Sequence, residues 1–529
     1  MADKRRIFEE LSRFLANMQT EMLKKILILL LFILFLTFLI RGAPAITQDL
    51  GRHLKLGEII WQTKSVPAIN LFSYTEPSHL FVNSHWLSEI VFYFIYRIFS
   101  FPGLIIFAGL MILVSFAIAF FSACRKNNFW PAFFISSWSI GILIERTDIR
   151  PEIFSFFIFS VFLFIFLKYE ENGRLAGFLW LLPVLQFFWV NFHIYFFLGP
   201  LFYFFFFLER IFKSRQPVGS FIKTKEFRKL FAIGVLIGLA ALINPNGLNG
   251  AFLPLTVAKE YGYSIVENQT PFFLSRFNYH QSIMFFFFIA WVAVILSSIF
   301  NILNIWRERK IFNFLSVIFI SFFGVYAVRN FPIFALAAIP VLTDNISGIH
   351  ADFKKEVAGR FSEEEKSPLE KFAVLFTMII IGFGLYFNCP KLSLGQPEGA
   401  KKAVDFVIEN KIPGKMFNNY DVGSYLIWRF YPEKQVFIDN RPEAYSIDFL
   451  QKIYIPMQQN KEVWEKYSKE YDFNFVIFEH TDITPWARDF LARIINDTEW
   501  PAVYLDERMV VFVKRVPLNQ AIIKKYALK

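Results

Sequence analysis

Residues 85–103 read HWLSEIVFYFIYRIFSFPG, and the way they are read decides how the whole chain threads a bilayer. The run from His85 to Phe99 is apolar enough to be a span but short against the ~20 residues of a crossing helix. It carries Glu89 and Arg97 and ends at Ser100-Phe101-Pro102-Gly103, where proline and glycine interrupt a helix. Taken as a helix lying on the membrane surface, it leaves every later segment on one side; taken as a span, it reverses them all. Basic residues arbitrate, because cytoplasmic loops concentrate Lys and Arg. With the surface reading, the predicted cytoplasmic loops hold Arg125-Lys126, the run Arg210, Lys213, Arg215, Lys223, Lys225, Arg228 and Lys229, then Arg307, Arg309 and Lys310, then Lys354, Lys355, Arg360, Lys366 and Lys371. The alternative puts the long basic run outside, so the surface helix is the better reading.

Composition agrees with a membrane protein. The chain has 529 residues, 55% hydrophobic and 20% aromatic, with 72 phenylalanines. A soluble protein carries far less apolar material. The formal charge of +11 needs no nucleic-acid partner, since the cytoplasmic loops account for it. Cys124 and Cys389 fall at span ends predicted on opposite faces, which excludes a disulfide and a thiolate metal site. Charges at Lys4, Arg5, Arg6 and Arg13 precede the first apolar run without a small-residue cleavage site after it, the pattern of a retained signal anchor.

The predicted fold is a multi-pass α-helical membrane protein with a C-terminal extracytoplasmic α/β domain. Residues 1–25 form a cytoplasmic interfacial helix with apolar positions Ile7, Leu11, Phe14, Leu15 and Met18. Residues 26–390 form the transmembrane domain, with spans near 26–40, 103–123, 129–144, 153–167, 175–190, 194–208, 230–243, 281–300, 312–327, 331–343 and 372–388, about eleven by length and hydropathy. Residues 391–529 form the outer domain. Its pattern predicts helices at Gly399–Asn410, Val422–Phe430, Ser446–Asn460, Val463–Glu470 and Pro485–Ile495. Strands are predicted at Lys415–Asn419, Gln435–Asp439 and Phe473–Glu479, with a closing hairpin Ala502–Asp506 and Met509–Lys514. The expected location is the cytoplasmic membrane, with the N-terminus inside and the last domain outside.

Polar residues collect on the predicted outer side. The long first loop, 41–102, holds Asp49, Arg52, His53, Lys55, Glu58, His79, His85 and Glu89 among Trp61, Phe72, Tyr74 and Trp86, too aromatic for a disordered linker. The second outer loop reads Glu145-Arg146-Thr147-Asp148-Ile149-Arg150-Pro151-Glu152. Asn191, His193, Asn244, Asn246, Glu267 and Arg329 occupy later outer loops. Ionisable groups at membrane depth are expensive and mark function. An outward carboxylate suits a general base toward an acceptor hydroxyl, and a guanidinium suits a phosphate or pyrophosphate. Together they fit transfer from a phosphate-activated lipid carrier.

The texts Gln48-Asp49-Leu50-Gly51-Arg52-His53-Leu54, Asn83-Ser84-His85-Trp86-Leu87-Ser88-Glu89 and Asn418-Asn419-Tyr420-Asp421-Val422-Gly423-Ser424-Tyr425-Leu426-Ile427-Trp428, with Val436-Phe437-Ile438-Asp439-Asn440-Arg441, resemble a bacterial branch of the GT-C superfamily of membrane glycosyltransferases. So does the layout of an acidic first loop ending in a surface helix, a second acidic loop and a C-terminal outer domain. The resemblance implies a sugar donor on polyprenyl phosphate or pyrophosphate and a glycan, lipid or protein acceptor, with membrane lipid around the chain. It implies inverting transfer, with the first-loop acid, here Asp49, as catalytic base or metal ligand. The second acid maps onto Asp148 or Glu152. Tyr420-Asp421-Val422-Gly423 is similar to the acceptor-binding WWDYG of oligosaccharyltransferases without its tandem tryptophan, so a peptide acceptor does not follow.

The expected site therefore comprises Asp49, Asp148 and Glu152 as catalytic carboxylates. Substrate contacts are expected from His53, His85, Glu89, Arg150, His193, Glu267, Arg329, Tyr420 and Asp421. A divalent metal, Mg or Mn, is open if Asp49 meets Asp148 or Glu152. Structural roles compete: Glu89 as the i,i+4 partner of His85, Asp148 paired with Arg150, Arg329 snorkelling, His193 as an interhelical hydrogen bonder, Asp421 and Asp439 as caps. The rival function is a lipid or polymer transporter, or an assembly scaffold, without enzymatic activity. The inverted repeats and matched broken spans that transporters show are not visible here.

Overall fold

In hydrocarbon a backbone amide finds no water, so an apolar segment satisfies its N–H and C=O groups internally as a helix. The computed structural model describes residues 2–42, 49–124, 128–172, 174–214, 217–256, 262–263, 265–356, 378–379, 381–395 and 399–528, with 2–20, 172, 174–176, 218 and 350–356 as backbone alone. Among the described residues six helices are long and apolar enough to cross a membrane: Glu21–Leu39, Trp86–Ala123, Glu152–Glu171, Ile194–Lys213, Gln281–Phe300 and Val328–Ile349. Two shorter apolar helices, Gly177–Phe192 and Ile311–Tyr326, accompany them. The chain is an integral membrane protein.

Differences from the expected spans have local causes. The segments expected at 129–144 and 230–243 are helices Phe129–Leu143 and Lys225–Ala241, of 15 and 17 residues, short for a perpendicular crossing. The one expected at 175–190 opens with a 3₁₀ segment, Arg174–Trp180, before turning α-helical. Of the last, 372–388, residues 378–379 and 381–388 are described and helical.

The helices that place the site are α1 (Ala2–Leu39), α2 (Leu50–Thr63), α3 (Trp86–Ala123), α4 (Phe129–Leu143), α5 (Glu152–Asn172), α6 (Leu181–Phe192), α7 (Leu198–Lys213), α8 (Lys225–Ala241), α9 (Gln281–Phe300), α10 (Ile311–Tyr326) and α11 (Phe331–Glu356). The expected surface helix and the span after it form one 38-residue helix, α3, broken at Ser100 with φ 56° and ψ −156°. Pro102 just beyond has no N–H for the preceding turn. The break therefore falls where the sequence placed it, but the hydrogen-bonded ladder resumes at once. Phenylalanine fills the bundle: Phe35, Phe92, Phe116, Phe159, Phe162 and Phe202 are fully buried in one contiguous core.

The C-terminal region folds on a four-stranded sheet of order β1-β2-β4-β3, with β1 (Lys415–Asn418), β2 (Phe473–Glu479), β3 (Ala502–Leu505) and β4 (Met509–Val513). β1 runs parallel to β2 in the register Met416↔Phe475, and β4 returns antiparallel with Phe475↔Val513. Alternate residues of β2 face two separate cores, Phe475 and Ile477 one way, Val476 and Phe478 the other. Helix α12 (Gly423–Phe430) covers one face.

The expected strand Gln435–Asp439 is not a strand. It makes one parallel bridge, Ser73↔Val436, to the first loop, with Val436 N–H donating to Phe72 O at 2.9 Å. The expected helix Ser446–Asn460 is instead a π-helical turn, Phe449–Tyr454, leading into a short α-helix, Ile455–Gln459. The first loop is built into this region. Leu56 and Phe72 belong to one of its cores and Phe81 to the other. Arg441, 1% exposed, donates to both oxygens of Asp439 at 2.7 Å and to Asn70 Oδ1 at 2.8 Å. Its guanidinium also sits 5.3 and 4.8 Å from the ring centres of Phe72 and Phe81.

Candidate active site at the junction of loops and sheet

Helix α2 brings the first loop to the site by wedging itself between two backbones. A Cβ at Gly51 would lie 2.4 Å from Ser424 O of α12, and one at Gly57 2.1 Å from Glu89 O of α3. Only glycine permits both approaches. Asp49 sits at the helix start, yet its carboxylate caps no amide, although capping is the usual task of an aspartate there. It turns instead to three side chains. Asn440 Nδ2 donates to it at 2.5 Å, Arg52 Nη2 lies at 3.2 Å and Arg150 Nη1 at 3.9 Å.

From Arg150 the polar network continues across the second loop. Arg150 Nη1 donates to the Glu267 carboxylate at 2.9 and 3.0 Å. Glu267 also accepts from Arg146, whose Nε and Nη2 hold both oxygens of Glu152 at 2.7 and 2.9 Å. Beside Glu267, Asn268 Oδ1 accepts from Arg329 Nη1 at 2.9 Å, and the Arg329 guanidinium stands 5.9 Å from the centre of the Tyr195 ring. The network thus joins residues up to 391 positions apart. Burial alone would raise the Glu267 carboxyl, but Arg146, Arg150 and Arg329 outweigh it and hold Glu267 well below the usual carboxylate range.

Four guanidinium groups, Arg52, Arg146, Arg150 and Arg329, stand here against the carboxylates Asp49, Glu152 and Glu267. The Nε atoms of Arg52, Arg150 and Arg329 are buried with no hydrogen-bond partner among the described residues. A buried donor without a partner costs ~1–3 kcal/mol. An anion placed among these three would relieve that cost.

The expected residues divide as follows. Asp49, Glu152, Arg150, Glu267 and Arg329 belong to this network. Glu152 gives both oxygens to Arg146 and is 2% exposed, so it is committed to positioning. Asp148 is half-buried and makes no ion pair among the described residues; the expected Asp148–Arg150 pair does not form, because Arg150 is drawn to Glu267. Glu89 is not the side-chain partner of His85. It receives His53 Nδ1 at 2.9 Å and Asn83 Nδ2 at 2.6 Å. His53, His85 and His193 form a row with ring centres 5.8 and 5.3 Å apart. His193 Nδ1 meets Ser155 Oγ at 2.9 Å, an interhelical bond as expected. Burial, reinforced by Arg52, keeps His53 and His85 neutral, with His85 lowered to about 3. Arg329 does not snorkel, since its Nη1 turns inward to Asn268.

Tyr420 and Asp421 reach the site from the sheet side. Tyr420 is 5% exposed and stacks on Tyr263 at 4.2 Å between ring centres. Burial, with Asp482, Glu479 and Asp49 nearby, pushes the Asp421 carboxyl up to about 7. Asp439, expected as a possible cap, is consumed by Arg441.

Sequence reasoning passed over Arg146, Arg52, Asn268 and Asn440. Arg52 stands three residues from the Asp49 it pairs with, so spacing offered a signal; Arg146 stands six residues from Glu152, a spacing that offered none. Asn440 offered none. No three His, Cys, Asp or Glu side chains gather to hold a metal among the described residues. Glu152 and Glu267 are already bound by arginines, so they do not offer free oxygen ligands for Mg or Mn beside Asp49.

No protein-family model and no curated relative matches the sequence. Solved structures do share the fold. An oligosaccharyltransferase, AglB from Archaeoglobus fulgidus in complex with an inhibitory peptide and a dolichol-phosphate, matches with a TM-score of 0.54 at 12% identity, over 93% of this chain and 75% of that one. An Archaeoglobus fulgidus oligosaccharyltransferase tethered to an acceptor peptide matches at 0.57 and 11%, over 93% and 74%. ArnT from Cupriavidus metallidurans matches at 0.54 and 10% in the apo state, over 95% of this chain and 99% of that one, and at 0.50 and 11% when bound to undecaprenyl phosphate, over 95% and 99%. The chain shares its fold with AglB and ArnT over most of its length.

Proposed function

We propose that the protein is a membrane glycosyltransferase that moves a sugar from a polyprenyl-phosphate or pyrophosphate donor to an acceptor at the outer face of the cytoplasmic membrane. The observation that carries this reading is the meeting at Asp49 of three distant parts: its own loop, Arg150 of the second loop and Asn440 of the sheet region. In this reading the transmembrane domain spans 26–390 in about eleven crossings, some of them short or tilted, with the domain 391–529 outside.

The roles follow from the chemistry. The donor phosphate lies among Arg52, Arg150 and Arg329, filling the unpartnered guanidinium nitrogens; planar guanidinium pairs bidentately with phosphate oxygens. Asp49, freed from capping and oriented by Asn440 and Arg52, faces the acceptor hydroxyl. As the acceptor oxygen attacks the anomeric carbon, its proton passes to Asp49 as general base. The bond from that carbon to the phosphate oxygen breaks, and the electron pair leaves with the lipid phosphate, whose growing charge the arginines stabilise. Attack opposite the leaving group inverts the anomeric centre. Glu152, Glu267 and Arg146 hold Arg150 in place. The neutral imidazoles His53 and His85, with His193 and Glu89, form the wall between α2, α3 and α6, and Tyr420 and Asp421 line the acceptor side. No step requires a metal.

The test is transfer of label from a polyprenyl-phosphate sugar by protein reconstituted in proteoliposomes. Asp49→Asn is expected to lower turnover by about a hundred- to ten-thousand-fold, the usual contribution of a positioned base, with unchanged thermal stability. Turnover retained in that variant removes Asp49 from the mechanism.

A further inference from the structure

On the sheet side of Asp49 lies a second polar group whose sign is opposite to that of the arginine network. Asp421 and Asp482 lie near Tyr263, and Asp421 near Tyr420, with Glu479 close to Asp421. Tyr263 stacks on Tyr420 at 4.2 Å and meets Trp486 at 5.7 Å, edge to face. Asp482 is anchored by Asn419 Nδ2 at 3.1 Å and by the Thr484 amide at 2.9 Å, and Glu479 by Thr481 Oγ1 at 3.0 Å. Asp421 makes no hydrogen bond or ion pair among the described residues, although little of it reaches solvent. An independent feature points to an occupant. The Tyr420 hydroxyl belongs to a side chain only 5% exposed and has no partner among the described residues, while the carboxylates of Glu443, Asp421 and Asp49 lie close enough to act on it.

Three ligand classes can be compared. A phosphate is repelled by the carboxylates. A metal ion needs them to converge, and no such convergence of three occurs among the described residues. An organic ammonium satisfies both the spread carboxylates and the aromatic faces, since a ring quadrupole attracts a cation at ~6 Å or less from its centre. The arginines already provide for the donor phosphate on the membrane side, which leaves this pocket to the other substrate. Resting on the transferase reading above, we propose that the pocket of Tyr263, Tyr420, Trp486, Asp421 and Asp482 binds a protonated primary amine carried by the acceptor.

The cheapest probe is an amine alone. Full-length protein in nanodiscs is titrated with glucosamine, glucose and N-acetylglucosamine, reading ligand saturation-transfer NMR. Glucosamine is expected to bind at least about tenfold more tightly than the two neutral sugars, a preference that matches ~1.4 kcal/mol. Asp421→Asn, close in shape, is expected to abolish the preference, and Asp482→Asn to reduce it, both with the melting temperature retained. Equal binding of the three sugars makes the pocket a neutral carbohydrate subsite and overturns the proposal, as does absence of glucosamine binding at saturating concentration. A preference that survives both variants overturns it too. Methylamine competing as well as glucosamine assigns recognition to the charge. Glucosamine whose binding is displaced by polyprenyl phosphate alone assigns the amine to the donor side and overturns the acceptor assignment. The readout is binding, so a failed transfer assay leaves it intact, and a failed binding assay leaves Asp49-dependent transfer intact.

Discussion

The bundle buries ionisable groups at both ends, and the two ends treat them differently. At the end remote from the sheet, Glu209 is 3% exposed, accepts the Phe312 amide at 2.8 Å and pairs with Lys213 at 3.0 Å, one helical turn away. Lys213 also meets Glu170, and Lys310 bridges Glu308 at 2.8 Å and Asp344 at 3.1 Å. Asn345 donates to Ser297 and Ser298 at 3.2 and 2.8 Å. The cavity enclosed there, about 50 Å³, has room for a few waters. The charges at that end answer one another. At the sheet end, the Nε atoms of Arg52, Arg150 and Arg329 are buried with no hydrogen-bond partner among the described residues, and Glu267 reaches Arg146 and Arg150 from another loop. Both ends show paired charge; among the described residues, the unpartnered buried guanidinium nitrogens are at the sheet end. Burial of charge is therefore weak evidence of function, and unfilled charge is stronger.

That contrast can be broken in several ways, the largest effect first. Arg146→Met leaves Glu152 and Glu267 buried without their shared cation. It is expected to destabilise the protein by about 3–5 kcal/mol, the scale of breaking a buried pair, seen as a fall in melting temperature in detergent. Gly51→Ala drives a methyl into the Ser424 carbonyl and shifts α2 with Asp49. Transfer is expected to fall about a hundredfold, as for a displaced reacting group, with a stability loss of about 1–3 kcal/mol from the overpacked contact.

Acidification separates the ends by pH. The folded state keeps the His85 imidazole neutral down to about 3, whereas the unfolded chain takes a proton below ~6.5. Between those values the unfolded state holds more protons, so stability is complete above the upper one and falls as pH drops, by up to ~1.4 kcal/mol per pH unit for each such group. His85→Gln is expected to flatten the slope measured by chemical denaturation between pH 6.5 and 5.

Arg329→Lys keeps the charge but loses the fork. The donor KM is expected to rise about tenfold, or ~1.4 kcal/mol, with turnover nearly constant. The smallest effect belongs to the far end. Glu209→Gln still accepts the Phe312 amide, so about 1 kcal/mol of stability is expected to go, with donor KM unchanged. A shift of donor KM by that variant would erase the distinction between the two ends.

Individual residues show how far the chain could be read in advance. Asp49, Arg150, Glu267 and Arg329 stood out because charges beside apolar runs are rare and few in number. Arg146 was hidden by its place among similar neighbours; nothing in Glu145-Arg146-Thr147-Asp148 distinguishes the arginine that bonds two acids from one facing water. Val436-Phe437-Ile438 has the composition of a strand and is fully buried, yet its partner is Ser73, more than three hundred residues earlier. Pattern announces that a segment is extended and apolar, and it is silent on which edge receives it.

The sequence by itself determined the class of the protein: hydropathy set helices, Ser100-Phe101-Pro102-Gly103 set the break in α3, and alternation set the strands of the sheet. These follow from short-range rules, since each depends on residues within a few turns of one another. Only the tertiary structure decided that Asp49 faces Asn440 and Arg150 rather than the amides of its own helix, that Glu152 is consumed by Arg146, and that Asp421 has no hydrogen-bond or ion-pair partner among the described residues. Hydrogen bonds and ion pairs are satisfied by whichever group arrives at ~3 Å, and which group arrives is settled by packing between segments hundreds of residues apart.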